Sequence, residues 1–223
     1  MEKAVVLVSG GMDSAALLYY VKKRLKVPKI YALSFVYGQK HAREMEMAIW
    51  QAESAGVAEH RQIDISFFGG LTAGGSALTD ESIDVPNLID LDQEQRRQPP
   101  TYVPHRNMVF LSLAAGYAEA AGAVDVFYGA QAQDEYGYWD CTSDFVHRIN
   151  DVLSLNHKIP VTIHAPFTEK TKAEVLNIGL ELGVDYAYTW TCYRGGPIAC
   201  GTCPSCVERE KAFRIAGVED RDS

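Results

Sequence analysis

The chain has 223 residues, 47% hydrophobic and 22% charged, a composition that suits one α/β domain with a small appendage. Its formal net charge of −8 argues against a nucleic-acid partner, because proteins that grip a phosphate backbone usually carry a basic face. No apolar run approaches the ~20 residues that span a bilayer, and Glu2 just before the first strand argues against a cleavable signal peptide. We therefore expect a cytoplasmic protein with a small-molecule substrate and no membrane partner.

Apolar β-rich runs alternate with helical patterns in the first third of the chain. Strands are predicted at 4–8, 30–36 and 61–65, and helices at 13–25 and 40–55. This β-α-β-α-β rhythm is typical of a parallel sheet with helices on both faces.

Residues 66–101 interrupt the rhythm and show no sustained period. A loop of this length inside a compact domain is usually functional or locally disordered. Two interpretations are equally open, a lid that faces the substrate and a passive insertion.

The alternation returns at Asn107 and continues to the C-terminal region. The elements predicted there are helices at 107–118, 146–155, 171–182 (with Gly183 as C-cap) and 207–215, and strands at 124–128 and 161–164. The pattern predicts an α/β fold with a doubly wound, Rossmann-like parallel sheet in a domain of residues 1–186. A small C-terminal lobe, residues 187–223, follows.

The most informative motif follows the first strand, where residues 9–14 read Ser-Gly-Gly-Met-Asp-Ser. Adjacent glycines let backbone N–H groups approach an anion without a Cβ in the way, and the start of a helix adds partial positive charge. The turn is not a Walker A loop, because no Gly-Lys-Ser/Thr follows, and it lacks the Gly-x-Gly-x-x-Gly pattern of dinucleotide sites. It indicates a nucleotide phosphate site, and a turn that merely joins strand to helix is the alternative.

The cysteines predict a metal site near the C-terminus. Four of the five fall within fifteen residues: Cys192, Cys200, Cys203 and Cys206. Cys-x-x-Cys spacing lets two sulfurs meet one ion, and four thiolates fill a tetrahedral Zn²⁺ without leaving room for water, so we predict a structural zinc site. An iron–sulfur cluster is the alternative. The metal would fold a tail that has few apolar residues of its own.

The Ser-Gly-Gly-x-Asp-Ser string resembles the PP-loop of the ATP pyrophosphatase superfamily, which implies an adenine nucleotide α-hydrolase-like fold. In that superfamily the loop holds the β- and γ-phosphates of ATP while a substrate oxygen attacks the α-phosphate. The resemblance implies that Ser9, Gly10, Gly11 and Ser14 contact phosphates and that Asp13 holds Mg²⁺. The implied ATP-binding set comprises Val8, Ser9, Gly10, Gly11, Met12, Asp13, Ser14, Ala15, Ala16, Leu17, Leu18 and Lys172.

Lys172 enters this set through a second motif. Residues 170–175 read Lys-Thr-Lys-Ala-Glu-Val, similar to a Lys-x-Glu-Val stretch of the same superfamily whose lysine lies on the phosphates. The implied catalytic set is therefore Ser9, Asp13, Ser14, Lys172 and Arg106. A solvated lysine at a helix start is the alternative, although the helix macrodipole slightly disfavours it.

Five motifs in the right order resemble the 7-cyano-7-deazaguanine synthase family over most of the chain. Besides the PP-loop they are Phe-Val-Tyr-Gly-Gln-Lys-His at 35–41, Tyr-Val-Pro-His-Arg-Asn at 102–107, Gly-Tyr-Trp-Asp-Cys at 137–141 and the cysteine-rich segment at 191–206. The resemblance implies conversion of 7-carboxy-7-deazaguanine and ammonia to 7-cyano-7-deazaguanine in queuosine biosynthesis. The route would run through an adenylylated carboxylate and then an activated amide, in a homodimer. AMP and pyrophosphate are the expected products of ATP, and ADP with phosphate stays open.

Five residues are candidate substrate contacts: Tyr37, Gln39, Arg106, Asp134 and Asp140. Arg106 is a permanent cation suited to a carboxylate or phosphate, and a surface ion pair is its alternative. An aspartate after the strand at 124–128 could read the guanine-like N–H edge of the substrate. Cys141 is expected to be a buried apolar side chain rather than a nucleophile, and His41 either moves protons or caps a helix.

Residues 132–142 depart from the family pattern, because its serine, proline and arginine are replaced and one acid is missing. An amide-forming relative that acts on another carboxylate fits the same motifs. A tRNA-thiolating or lysidine-type enzyme is disfavoured by the acidic charge and by four cysteines already committed to metal. A non-catalytic nucleotide sensor would bind ATP without turnover.

Overall fold

A parallel sheet of five strands in the order β3-β2-β1-β4-β5 organises the computed structural model, which describes residues 1–40, 43–132 and 137–220. The strands are β1 (Lys3–Leu7), β2 (Lys29–Val36), β3 (Glu59–Asp64), β4 (Asp125–Phe127) and β5 (Thr162–His164). Val6 of the central strand β1 lies opposite Ala32 of β2 on one side and Phe127 of β4 on the other. The predicted doubly wound parallel sheet is confirmed.

Helices cover both faces of this sheet. In the described residues they are α1 (Met12–Tyr19), α2 (Arg43–Ala55), α3 (Phe67–Leu71), α4 (Gln93–Arg97), α5 (Arg106–Ala121), α6 (Ser143–Leu153), α7 (Lys172–Glu181) and α8 (Pro204–Ala216). The predicted helix at 13–25 is α1 followed by a π-helical turn, Tyr20–Arg24. The last helix starts earlier than predicted, at Pro204, because a proline in the first turn gives up no helical hydrogen bond.

Residues 66–101 contain only short elements. Besides α3 and α4 there is one 3₁₀ turn, Leu88–Asp90, and α4 is started by a capping box between Asp92 and Gln95. Helices of five residues are too short to leave a periodic pattern, which is why the sequence showed none there.

The core lies in two apolar layers, one on each face of the sheet. Val5 and Val6 of β1 point to opposite layers because successive side chains of a strand alternate. One layer packs β1 and β2 under α1 and α7, with Leu17 and Leu176 fully buried. The other layer packs the sheet under α5 and α6. Both faces of β1 are buried, so the turn that follows it starts from a fixed point.

The C-terminal segment shares this core. Helix α8 packs on α7, and its Ala212 and Phe213 belong to the same apolar layer as Leu17. The domain boundary after residue 186 stays a prediction. Across the described ranges, every helix is too short or too polar to cross a membrane.

Candidate active site

A cavity of about 610 Å³ opens at the carboxyl edge of the sheet, where β1 separates β2 from β4. Ligands bind at such a point in open α/β sheets, because the connections of the neighbouring strands leave on opposite faces. Residues 66–101 form part of its wall through Leu78, Leu88, Leu91, Arg96, Pro99 and Thr101. That position favours the lid interpretation of this segment over a passive insertion.

The turn after β1 forms another part of the wall. Gly10 has a φ of +84°, and a Cβ on it would lie 1.9 Å from the backbone oxygen of Glu44 in α2, so glycine is required. The Ser14 hydroxyl accepts from the Ser9 N–H at 3.1 Å and donates to the Gly11 carbonyl at 3.0 Å. These bonds hold an open loop of backbone at the N-terminus of α1, where an anion is favoured.

The ATP-binding set predicted from the sequence divides in two. Val8, Ser9, residues 11–14 and Lys172 line the cavity, whereas Gly10 does not. Ala15, Ala16, Leu17 and Leu18 are fully buried, because they form the face of α1 that packs on the sheet. They anchor α1 on the sheet and so hold the turn in place, but they do not line the cavity.

Lys172 is brought to this turn by α7. A capping box between Thr171 and Glu174 fixes the start of α7. Lys172, its first residue, is 4% exposed. Its Nζ donates to Asp13 Oδ2 at 2.8 Å and lies 4.0 Å from Glu208 Oε2. The other oxygen of Asp13, Oδ1, is buried and has no hydrogen-bond partner in the described part of the chain. Burial raises the pKa of Glu208, and the Lys172 charge opposes that shift.

Arg106, the first residue of α5, is a second charged group of the cavity. Its Nη1 donates to the Tyr37 hydroxyl at 3.2 Å, and its guanidinium carbon lies 5.5 Å from the centroid of the Tyr37 ring. Burial lowers the pKa of Arg106, but Tyr37, Tyr138, Tyr193 and Asp140 raise it, and the net shift is upward. A cation that stays charged among aromatic side chains is suited to a carboxylate or phosphate ligand.

Tyr37 and Gln39 both line the cavity, but the Gln39 amide is already engaged. Its Oε1 accepts from the Tyr37 N–H at 2.7 Å and its Nε2 donates to the Phe35 carbonyl at 3.2 Å. Gln39 therefore closes the turn after β2 on itself and holds Tyr37 against Arg106.

Asp140 is not part of the cavity wall. It is 2% exposed, its carboxylate accepts hydrogen bonds from Asn107, and burial raises its pKa while the Arg106 charge lowers it. It acts as a buried counter-charge to Arg106. The other aspartate predicted to read the substrate, Asp134, lies outside the described residues, as does His41.

Cys141 is 7% exposed in the apolar layer under α5 and lines the cavity. Its Sγ accepts from Asn107 Nδ2 at 3.4 Å. This agrees with the expected buried apolar role.

The four cysteines predicted as metal ligands come together. Their Sγ atoms all lie within 4.8 Å of one another. The N–H groups of Cys200 and Cys203 point to the sulfurs of Cys192 and Cys200, at 3.4 and 3.3 Å, and such bonds favour thiolates. Cys203 is the N-cap of α8 and Cys206 lies in its first turn. The cluster is compatible with a metal site.

The segment that leads into this cluster is joined to the phosphate turn. The Trp190 N–H donates to the Gly10 carbonyl at 2.9 Å, and its indole Nε1 donates to the Cys192 carbonyl at 3.1 Å. Arg43 of α2 stacks on the Trp190 ring at 4.2 Å. The metal site and the turn after β1 therefore share one support.

Two buried or bridging arginines complete this support, and sequence reasoning missed both. Arg209 of α8 makes a bidentate bond to Asp220, at 2.6 and 2.9 Å, and donates to Thr189 Oγ1 at 2.8 Å. Arg194 donates to the Val85 carbonyl at 3.0 Å, which joins residues 66–101 to the cysteine-rich loop. Neither shows a pattern in the sequence, because their partners lie 8 to 109 residues away.

The fold and the site define a class, an α/β protein with a glycine turn at the carboxyl edge of a parallel sheet, where a helix N-terminus favours an anion. The solved NMN synthetase from Francisella tularensis is similar in fold, with 17% identity, a TM-score of 0.51 and coverage of 98% of this chain and 79% of that one. The family model "Queuosine biosynthesis protein QueC" matches residues 3–217. The chain belongs to this family of biosynthetic enzymes.

Relatives named 7-cyano-7-deazaguanine synthase are similar over nearly the whole chain. The protein from Clostridium kluyveri is 45% identical, over 99% of this chain and 96% of its own. The protein from Caldicellulosiruptor saccharolyticus is 47% identical, over 98% of this chain and 93% of its own. The family resemblance read from the five motifs is thus confirmed.

Proposed function

We propose that this protein uses ATP to convert 7-carboxy-7-deazaguanine and ammonia to 7-cyano-7-deazaguanine. The observation that carries the proposal is one cavity that holds both a phosphate-binding turn with Lys172 and the half-buried cation of Arg106. An enzyme that activates a carboxylate with ATP needs both groups in one place. The relatives' name, 7-cyano-7-deazaguanine synthase, supports this choice of substrate.

The residues around the turn fit ATP and Mg²⁺. Ser9, Gly10, Gly11 and Ser14 would hold the phosphates through backbone N–H and hydroxyl groups. Asp13 Oδ1 is a buried carboxylate oxygen without a hydrogen-bond partner among the described residues, and Mg²⁺ prefers such ligands. Bound Mg²⁺ would neutralise phosphate charge. Lys172, now 2.8 Å from Asp13, would exchange this partner for a phosphate oxygen.

Arg106 would hold the substrate carboxylate close to the α-phosphate. Asp140 keeps the guanidinium in place as a buried counter-charge, and Gln39 keeps Tyr37 against it. Asp134 stays a proposed contact for the base. A cation held in a fixed position orients the carboxylate as well as attracting it, and the reaction needs the attacking oxygen to be aligned with the α-phosphate.

The same site would run two rounds of activation. In the first, a carboxylate oxygen attacks the α-phosphate, pyrophosphate leaves, and ammonia displaces AMP to give the amide. In the second, the amide oxygen attacks the α-phosphate of another ATP, and pyrophosphate leaves again. Loss of two N–H protons and AMP then leaves the nitrile.

We propose a structural Zn²⁺ at Cys192, Cys200, Cys203 and Cys206. Four thiolates within reach of one ion leave no position for substrate, so this metal would stabilise the fold without taking part in the chemistry. Its position beside Trp190 gives it an indirect role in holding the turn after β1.

We also propose a metal-bound lobe at 187–223, a homodimer, a cytoplasmic location and no nucleic-acid partner. The free cysteines suit a reducing compartment and the net charge of −8 disfavours a phosphate backbone. Sedimentation of the purified protein tests the dimer.

Mass spectrometry after incubation with ATP, Mg²⁺, ammonia and 7-carboxy-7-deazaguanine tests the function. Nitrile is the expected product. Amide alone would indicate an enzyme that stops after one activation, and ATP binding without turnover would indicate a sensor. Asp13→Ala is expected to abolish product while leaving the zinc content unchanged, which separates loss of chemistry from loss of fold.

A further inference from the structure

We propose that Glu208 of α8 is a second carboxylate ligand, with Asp13, for the divalent cation that accompanies the nucleotide. The inference rests on the proposed use of ATP at this site. Glu208 belongs to the helix that starts in the cysteine cluster, yet it lines the cavity beside the turn after β1.

The two carboxylates converge on one point from different parts of the chain. Asp13 Oδ2 and Glu208 Oε2 lie 2.8 and 4.0 Å from the same atom, Lys172 Nζ. Asp13 still has its second oxygen buried without a partner in the ranges that the structure describes. That oxygen is an available carboxylate ligand atom of the kind that a divalent cation takes.

The charges around this point call for a cation. Two carboxylates share Lys172, and the phosphates of a bound nucleotide would add further negative charge. Lys211 also lines the cavity, so the two carboxylates and the two lysines balance, and the charge left to neutralise is that of the nucleotide phosphates. A divalent cation with carboxylate and phosphate ligands resolves this, as in other nucleotide sites.

The fold holds Glu208 firmly in this position. Cys206 lies two residues before it, in the metal cluster, and Arg209 follows it with its bidentate bond to Asp220. The Glu208 side chain itself is 34% exposed, which leaves it accessible from the cavity. These anchors fix the backbone of α8 at Glu208, so its side chain leaves the helix at a fixed point beside the cavity.

Mn²⁺ titration followed by electron paramagnetic resonance, with α,β-methylene-ATP bound to the zinc-loaded protein, tests the proposal. Glu208→Gln is expected to weaken Mn²⁺ binding by about 10-fold or more, since even indirect partners of a metal contribute on that scale. Glu208→Asp should weaken it less. Glu210→Gln, an exposed change on the same helix, is the matched control and should leave it unchanged.

An unchanged Mn²⁺ affinity in Glu208→Gln, with zinc content and melting temperature retained, would overturn the proposal. So would a change confined to the affinity for the nucleotide analogue, because Glu208 would then act only through Lys172. If Glu208→Gln does not fold, the same comparison is made with Glu208→Asp. The titration needs no carboxylate substrate, so a failure to form nitrile leaves this result interpretable.

Discussion

Gly10 and Gly11 are adjacent in the phosphate turn, but the structure predicts opposite responses to alanine. At Gly10 the left-handed backbone costs about 1–2 kcal/mol for an L-residue, and the added Cβ meets the α2 backbone at 1.9 Å. Overpacking of this kind adds about 1–3 kcal/mol. Gly10→Ala should therefore lower the free energy of unfolding by about 2–5 kcal/mol.

Gly11 has a φ of −79°, and its Cβ would lie 3.4 Å from the nearest atom, Ser9 Oγ. Gly11→Ala should cost about 1 kcal/mol or less, the usual effect of alanine at an N-cap. Because Gly11 lines the cavity, this variant should fold and bind ATP more weakly. Urea denaturation and calorimetric titration with ATP measure the two effects. Equal destabilisation of both variants, or a Gly10→Ala loss below 1 kcal/mol, would refute the reasoning.

Three further predictions concern the support of the site. Arg209→Met breaks a buried ion pair and should lower the free energy of unfolding in urea by about 3–5 kcal/mol, whereas Arg214→Met, exposed on the same helix, should change it by about 0.5 kcal/mol or less. Burial lowers the pKa of His60, and the Glu53 charge opposes this shift. The stability that neutral His60 contributes is therefore present above its ordinary pKa of 6.5 and is lost as the pH falls below that value. Calorimetry should show that Tm falls more steeply with decreasing pH in the wild type than in His60→Gln, and parallel profiles would contradict this. Removal of the metal by a chelator should weaken ATP binding, measured by titration, because Trp190 joins the cysteine cluster to Gly10; an apo-protein with full ATP affinity would contradict that link.

Local signals predicted the fold and the convergence of the four cysteines. Buried β-runs and helical periods lie close together in the chain, so the strands and most helices fell near their predicted positions. The cysteine spacing indicated ligands that converge within 4.8 Å. The position of the glycine turn could be predicted because the strand and the helix on either side of it are adjacent to it in the sequence.

Side-chain contacts between residues far apart in the sequence could not be predicted. Lys172 meets Asp13 across 159 residues, and no local pattern records that the lysine is held by an aspartate. Asp140 looked like a substrate contact, yet it lies behind Arg106 because α5 begins beside it. The predicted helix at 207–215 already contained Glu208, but its place in the cavity was missed because it depends on the packing of α8 on α7.

The central claim is that a carboxylate oxygen attacks the α-phosphate of ATP, and isotope transfer tests it most directly. The substrate is 7-carboxy-7-deazaguanine labelled with ¹⁸O in both carboxylate oxygens, and the AMP formed is analysed by mass spectrometry. The account predicts two AMP molecules for each nitrile, each carrying one ¹⁸O atom. Unlabelled AMP, or ¹⁸O in inorganic phosphate released with ADP, would contradict it.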